Sequence, residues 1–158
     1  MADTDVEKKF SINKIYIKDL SFEAPNSPAV FATNTNWEPS TKIDIGCASR
    51  QLGETTVETV LTITVTTGLE EKTVYLIEVQ QAGLFELAGY NKEELAFMLN
   101  VYTPNILFPF VREAVSDVVA KGGFPRMMLK PVNFDVLYAQ KIEQLRIEDS
   151  SSGEVPPQ

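Results

Sequence analysis

The stretch that decides the fold is TPNILFPFVREAVSDVVAKGG, residues 103–123. Its apolar residues come in adjacent pairs at every fourth position, a spacing typical of a helix. At about 100° of rotation per residue, these pairs cover roughly 220° of the helix circumference. A helix that lies on a single core needs an apolar stripe only slightly wider than about 100°. The four pairs are Ile106/Leu107, Phe110/Val111, Ala114/Val115 and Val118/Val119.

The excess apolar surface predicts that this helix has two buried faces. The sheet of one protomer can cover only one of them, so we expect another subunit to cover the second. Deep burial within a single protomer is the alternative explanation. In either case the polar strip is too narrow for a helix that lies on the surface; it consists of Arg112, Glu113, Ser116, Asp117 and Lys121.

The ends of this long helix carry recognisable signals. Thr103 is a capable N-cap, with Pro104 in the favoured first-turn position. Pro109 is expected to kink the helix or to delay its start to about residue 108. The two glycines at 122 and 123 are expected to end it.

Four segments before this helix are predicted strands, because they are rich in β-branched and aromatic residues and several alternate in polarity. They cover residues 10–19, 42–48, 57–66 and 73–81, and the last two are joined by a turn in TTGLEEK at 66–72. Alternation places Ile43, Ile45 and Cys47 on the covered face of the second strand. A Pro-rich loop at 24–41 separates the first two strands, and loops of this length are usually functional or disordered.

Two shorter helical signals flank the long helix. Asn91 and Glu94 form a capping-box-like pair, and Asn133 caps a last helix with one apolar side. Strands followed by helices predict an α+β fold: a four-stranded antiparallel sheet with helices packed on one face. We expect a flexible N-terminal arm at 1–9, one folded domain at 10–146 and a disordered acidic tail at 147–158. The apolar side of the last helix consists of Phe134, Leu137, Tyr138, Ile142 and Leu145.

Composition limits the classes of function. The chain has 158 residues, with 22 acidic and 14 basic side chains and a net charge of −8. This balance argues against nucleic acid and anionic membranes and favours a basic protein partner. Histidine is absent, which excludes His-dependent nucleophile systems and His-ligated metals. Cys47 is interpreted as a small core residue rather than a reactive thiol. We therefore predict no enzymatic activity and no cofactor.

Neither a secretory signal nor a membrane-spanning stretch is recognised, so a cytoplasmic protein without membrane insertion is expected. Two surfaces are candidates for function. One is the uncovered sheet face, where Asp19, Glu23, Leu76 and Glu78 would present acidic groups around an apolar spot. The other is an apolar groove for extended polypeptide between the Pro-rich loop and the last helix. Its candidate residues are Phe22, Phe31, Trp37, Phe134, Leu137 and Tyr138. An ordinary solvated sheet face and a loop that merely caps the core are the alternatives.

Several unusual peptides give the chain a specific resemblance. They are SFEAPN at 21–26, EVQQ at 78–81, PNILFP at 104–109, FP at 124–125 and PVNFD at 131–135. Over residues 10–145 the chain resembles the SecB family of bacterial protein-export chaperones. The resemblance departs at Ile77, where a cysteine is often found, and at Ala82, where a glycine is common.

The resemblance implies a tetramer, built as a dimer of dimers with long helices packed between two sheets. It implies a chaperone that holds unfolded precursors without ATP and delivers them to the motor SecA, whose basic, zinc-bearing tail binds the sheet. The family's SecA-contacting positions match Asp19, Glu23, Leu76 and Glu78, and its substrate groove lies between the crossover loop and the last helix. Residues assigned to the oligomer interface are Ile77, Val79, Phe110, Val111, Ala114, Val115 and Val118.

Three other functions stay open on the sequence. A SecB-like chaperone could serve a dedicated client, such as an antitoxin. A structural scaffold would join folded subunits without preferring unfolded clients. A small carboxylate-dependent hydrolase is the enzymatic alternative.

Overall fold

The computed structural model describes residues 6–32 and 36–153. It shows the expected α+β architecture, a four-stranded antiparallel sheet with two long helices packed on it. The strands are β1 (Lys9–Glu23), β2 (Ser40–Gln51), β3 (Thr56–Leu69) and β4 (Lys72–Ala88). The helices are α1 (Lys92–Phe97), α2 (Thr103–Lys121) and α3 (Phe134–Ser152), with a 3-10 turn at Ala29–Ala32 and a π-helical turn at Met98–Tyr102.

The strand order is β1-β4-β3-β2, so the chain returns across the sheet after the first strand. Strands β2, β3 and β4 form a meander, and β1 pairs with the outer edge of β4. Strand β4 extends to Ala88 rather than ending near residue 81. Its continuation passes through Gly83, where an added Cβ would lie 2.6 Å from the Phe85 ring. The glycine thus lets the strand continue beneath a large buried aromatic side chain.

The β3–β4 hairpin turns at Glu70 and Glu71, whose φ angles are 50° and 64°. Both values lie in the left-handed region that two-residue hairpin turns require and that glycine or asparagine usually fills. The predicted turn lies in the correct segment, but Gly68 is paired within β3 opposite Thr73. Two glutamates therefore occupy backbone positions that are strained for residues with a Cβ.

The start of the long helix differs from the prediction. Thr103 is not an N-cap, because α2 continues from the π-helical turn and the preceding Tyr102 is itself helical. The buried Thr103 hydroxyl donates to the Leu99 carbonyl at 3.3 Å and lies 3.1 Å from the Thr59 hydroxyl. Pro104 comes directly after this junction and has no backbone N–H to donate to the preceding turn.

Pro109 lies inside α2 and does not delay its start, so that part of the expectation is wrong. Pro109 and Asn105, whose carbonyl loses its helical partner, both face solvent. Water can satisfy that carbonyl, which removes most of the usual cost of an internal proline. The helix ends as predicted, with Gly122 as C-cap and Gly123 at φ 88°.

The core lies between the sheet and α2. Helix α2 packs on β3 and β4, and its inner side chains join one cluster with the odd-numbered residues of those strands. Cluster members that are essentially inaccessible to solvent include Leu61, Ile63, Val65, Ile77, Val79, Phe85, Leu107, Val111, Val115 and Val119.

Helix α3 begins at its predicted cap, where Asn133 Oδ1 accepts from the Val136 amide at 3.2 Å. It packs against the π-helical turn through its first half. The sequence placed residues 147–152 in a disordered tail, but α3 includes them. Once capped, a helix propagates readily, and the Ser150–Ser152 hydroxyls bond back to carbonyls three residues earlier. Residues 154–158 of that tail lie outside the described residues.

The N-terminal arm was expected at 1–9, and residues 1–5 of it lie outside the described residues. Lys8 Nζ donates to Glu94 Oε1 at 2.6 Å, and Lys9 already belongs to β1. Gly89, at φ 83°, leaves no room for a Cβ because the Glu7 carbonyl oxygen would lie 2.6 Å away. The end of the arm therefore packs beside α1. Among the helices of the described residues, none combines the length and hydrophobicity that a membrane-spanning helix needs.

Candidate functional site

The outer face of the sheet, which α2 leaves uncovered, brings together the four predicted acidic-face residues. Because β1 pairs with β4, Glu23 lies opposite Leu76, and Asp19 lies opposite Gln80, two residues from Glu78. Asp19 and Glu23 are exposed, whereas Leu76 and Glu78 are half-buried. A bulge between Ile17 and Asp19 shifts the register so that Asp19 shares this face.

Strand β2 adds a further carboxylate to the same region. Asp44 pairs with Thr64, and Thr64 pairs with Glu78, which puts both carboxylates in one row across the sheet. We call Asp19, Glu23, Asp44 and Glu78 the acidic end of the outer face. An acidic surface of this kind can steer and orient a cationic partner, and Leu76 places an apolar side chain beside the carboxylates.

The predicted groove residues form two separate clusters. In the first, Phe31 and Trp37 stack on Phe124, with ring centroids 5.0 Å and 5.9 Å away. Tyr75 also contacts Phe124 at 5.2 Å, and Phe22 stacks on Tyr75 at 6.2 Å. Phe124, at the centre of this cluster, was not predicted as a groove residue, although the FP dipeptide after the helix end marked its position.

The second cluster lies at the start of α3. Phe134 is buried and meets the Phe108 ring edge-on at 6.1 Å. Leu137 and Tyr138 line a cavity of about 220 Å³ that is closed on the other side by Ile45 and Cys47 of β2. The sequence therefore placed these three residues together correctly but not next to the loop aromatics.

A larger cavity of about 520 Å³ lies between the two clusters. Its walls are β2, through Ile43 and Ile45, and the loop at 127–132. Ile45 also lines the smaller cavity, and the Tyr75 hydroxyl lies 3.6 Å from Met127 Sδ, which connects the loop to the first cluster. Together the cavities and clusters form one apolar groove along the edge strand β2. The loop residues were missed because MMLKPV carries no periodic pattern.

Exposed apolar side chains in the groove include Ile43, Met128 and Leu137, which are 41%, 76% and 40% exposed. Methionine adapts its shape to different neighbours. The β2 edge also has no strand partner on its outer side within the described chain. Such a groove can bind an extended polypeptide through apolar side chains and backbone pairing.

Cys47 faces this groove, but its thiol is unreactive. Burial raises the pKa of its thiol to about 11, so almost none is thiolate near neutral pH. Its Sγ lies 3.8 Å from the Leu99 carbonyl. The side chain packs against the core, as the sequence indicated.

The residues assigned to an oligomer interface divide into two groups. Ile77, Val79, Val111 and Val115 are at most 1% exposed and lie inside the protomer core, so their assignment to a surface is corrected. The cause is geometric: odd-numbered residues of β4 face α2, and the second member of each apolar pair faces the sheet. Phe110, Ala114 and Val118 lie on the flank of α2 with Ile106, and Phe110 is 43% exposed.

Strand β1 continues this uncovered apolar surface. Ile12, Ile17 and Leu20 pair with core-facing positions of β4 yet remain 46%, 48% and 42% exposed. Helix α2 runs along this strand, since Tyr102 contacts Phe10 and Gly122 closely approaches Phe22. We call the two rows the apolar strip. Contiguous apolar surface of this kind usually marks an interaction site.

In the described ranges, no three His, Cys, Asp or Glu side chains gather closely enough to hold a metal ion. The candidate surfaces of the described chain are an acidic sheet face, an apolar groove and an apolar strip.

Comparison with known proteins gives consistent results. The sequence model of the family described as preprotein translocase subunit SecB matches residues 3–145. The protein-export protein SecB of Methylococcus capsulatus is 52% identical over 137 residues, 87% of each chain. That of Alcanivorax borkumensis is 45% identical over 157 residues, 98% of each chain.

A solved structure shares the fold. It is a Mycobacterium tuberculosis SecB-like chaperone in complex with a peptide from the HigA1 antitoxin. The TM-score is 0.64 at 14% identity, over 78% of this chain and 91% of that chain. At that identity the likeness speaks for the fold alone.

Proposed function

The chain belongs to the SecB family of protein-export chaperones, which are not enzymes, and we propose that each of its three candidate surfaces has a separate function. The groove along β2 binds unfolded precursor proteins, the acidic end of the outer face binds SecA, and the apolar strip joins protomers into a tetramer. The single observation that carries this proposal is the separation of these three surfaces on one protomer.

The groove supports binding of unfolded chains because it combines apolar cavities with a free strand edge. Unfolded precursors expose apolar and aromatic segments that folded proteins bury. Several grooves on one assembly bind several segments of one client, so each contact can be weak. Binding only the unfolded form delays folding and aggregation by mass action, and this requires no nucleotide.

The acidic end supports delivery to SecA through that motor's basic, zinc-bearing tail. Its carboxylates surround Leu76 on a flat sheet face that lies opposite to α2. Opposite charges accelerate encounter and fix orientation more than they raise affinity. Client and motor can then be bound at the same time, since the groove lies elsewhere. The cytoplasm is the compartment in which this delivery takes place.

The apolar strip supports a dimer of dimers with α2 helices packed between two sheets. Ile106, Phe110 and Val118 then become buried by another copy, as the wide apolar surface of α2 requires. The outer sheet face remains free on both sides of the assembly.

The second candidate function is that of a chaperone for one dedicated client protein. The M. tuberculosis relative of the same fold is recorded with an antitoxin peptide. The far higher identity to the protein-export relatives, together with the complete set Asp19, Glu23, Leu76 and Glu78, favours the export role.

The direct test of chaperone activity is light scattering of an aggregating unfolded precursor, without ATP. We expect suppression near one tetramer per client. Unchanged aggregation, or equal binding of folded and unfolded client, would instead indicate a scaffold. Catalytic turnover that is lost when carboxylates are substituted would indicate a hydrolase.

The acidic end is tested by Glu78→Lys and Asp19→Lys, with Glu143→Lys on exposed α3 as a control of equal charge change. We expect the first two to weaken binding of the SecA tail at low salt while client capture is retained. Wild-type affinity in both variants contradicts this role of the acidic end.

A further inference from the structure

The other end of the outer sheet face has the opposite charge. Arg50 of β2 pairs with Glu58 of β3, which pairs with Leu84 of β4, which pairs with Lys14 of β1. One row thus crosses all four strands with a cation at each edge. Lys18, at the β1 bulge, adds a third cation, and we call Lys14, Lys18 and Arg50 the basic end.

Glu58 holds the basic end together. Its side chain is 8% exposed, and its carboxylate accepts a hydrogen bond from the Tyr16 hydroxyl and another from Lys18 Nζ at 2.9 Å. An Arg50 nitrogen lies 3.7 Å from the same carboxylate. The bonds from Lys18 and Tyr16 hold the pKa of Glu58 below its usual range, so the group stays ionised.

One buried carboxylate cannot neutralise three cations. The Lys18 and Arg50 side chains remain 42% and 69% exposed, and the guanidinium has further donors in its planar fork. Glu86 lies in the next row, where Asn13, Thr55 and Thr56 donate to its carboxylate. Three cations against the two carboxylates of Glu58 and Glu86 leave a local excess of one positive charge, in a chain whose net charge is −8.

The surface between these cations is apolar. Val60 pairs with Ala82 in the row beside Glu58, and Leu84 lies between Glu58 and Lys14. Ala82 itself is fully buried, and it pairs with Tyr16, whose side chain reaches Glu58 across β4. The acidic end begins at Asp19, opposite Gln80 and four residues along β4 from Leu84, which corresponds to about 14 Å.

We propose that the basic end is a docking surface for an acidic, extended polypeptide segment that carries apolar side chains. Its carboxylates pair with Lys14, Lys18 and Arg50 at the strand edges, and its apolar side chains lie on the half-buried Val60 and Leu84. The acidic end repels the same segment and so confines it to one half of the face. This site is separate from the groove and from the proposed SecA surface.

The test is fluorescence anisotropy of a short labelled Glu/Leu peptide, titrated with the full chain at physiological salt. Arg50→Glu and Lys14→Glu are each expected to weaken binding by about fivefold, the upper range for an exposed ion pair. Lys42→Glu is the matched control, because it makes the same charge change on the same face. It lies eight residues from Arg50 along β2, roughly 26 Å, beyond the screening length of about 8 Å, and should change binding less than about twofold.

A second variant acts in the opposite direction. Glu58→Gln releases Lys18 and Arg50 from their carboxylate, and affinity for the Glu/Leu peptide should rise by about two- to threefold. Folding of each variant is checked by circular dichroism. Equal weakening by Lys42→Glu overturns the proposal, as do equal binding of a Gln/Leu peptide and equal binding of an oligothymidylate of matched charge. No binding of the Glu/Leu peptide overturns it as well.

Discussion

Tyr16 shows how a single side chain connects three strands. It lies on β1, reaches across β4 and donates to the buried Glu58 of β3. Burial and the neighbouring carboxylate raise the pKa of Tyr16 from 10.0 to about 12. The sequence indicated none of this, because the contact depends on β1 pairing with β4.

The raised pKa of Tyr16 predicts a loss of stability in alkali. A group that binds its proton more tightly when folded stabilises the fold fully below its unfolded pKa. That contribution should disappear as the pH rises from about 10 to about 12. Tyr16→Phe should remove about 1 kcal/mol below pH 10 and show a smaller further loss above it. Urea unfolding on both sides of pH 10 measures this, with the exposed Tyr102→Phe as control; identical pH dependence in Tyr16→Phe and wild type contradicts it.

The alternation of side chains along a strand predicted correctly which face of the sheet a single residue occupies. It correctly placed Ile77 towards α2 and Leu76 and Glu78 on the other face, because side chains of a strand alternate without exception outside bulges. It could not reveal the bulge before Asp19, since a bulge depends on the partner strand. The loop aromatics could be recognised as a group, but their shared contact, Phe124, comes from a distant segment.

Among the elements, the β3–β4 hairpin stores local strain. Its two turn residues, Glu70 and Glu71, both have positive φ. Glu70→Asn with Glu71→Gly should raise the free energy of unfolding by about 1–2 kcal/mol. Thermal unfolding checks this against Glu70→Ala with Glu71→Ala, which removes the same charges but keeps the strain. Equal gains in both double variants would assign the effect to charge instead.

Helix α2 predicts different outcomes for the same substitution at adjacent positions. Val119 is fully buried in the protomer, and Val118 lies half-buried on its flank. Val119→Ala should lower the free energy of unfolding by about 1–3 kcal/mol at every protein concentration. Val118→Ala should act mainly on association and change the concentration dependence of unfolding. Urea titrations over a range of concentrations separate the two, and indistinguishable behaviour contradicts the assignment of two faces.

Helix boundaries were predictable where side chains bond to local backbone. The caps Asn91 and Asn133 and the terminal Gly122–Gly123 pair lie where expected. Thr103 misled because the preceding Tyr102 is already helical, and Pro109 misled because it and Asn105 face solvent. The sequence did not decide which edge of the sheet β1 occupies, because the long loop after β1 lets it pair with either outer strand.

At the scale of the whole molecule, the groove depends on three segments that are distant in sequence. Trp37, the loop at 127–132 and Tyr138 line one path along β2. Trp37→Ala with Tyr138→Ala should weaken binding of an unfolded client on the order of tenfold and leave assembly unchanged. Phe97→Ala, an exposed aromatic residue on α1, is the control. Unaltered client affinity of the double variant, measured by titration calorimetry, would reject this path.

The account as a whole depends on what covers the apolar strip. The apolar pairs of α2 have one member in the core and one on a flank that the protomer leaves open. If another copy covers that flank, the outer sheet face and the groove remain free for motor and client.

Sedimentation velocity at micromolar concentration tests this most directly, with wild type compared to Phe110→Glu. The account predicts that wild type sediments as a tetramer and that Phe110→Glu dissociates to smaller species that keep their secondary structure. A wild-type chain that sediments as a monomer at that concentration contradicts it.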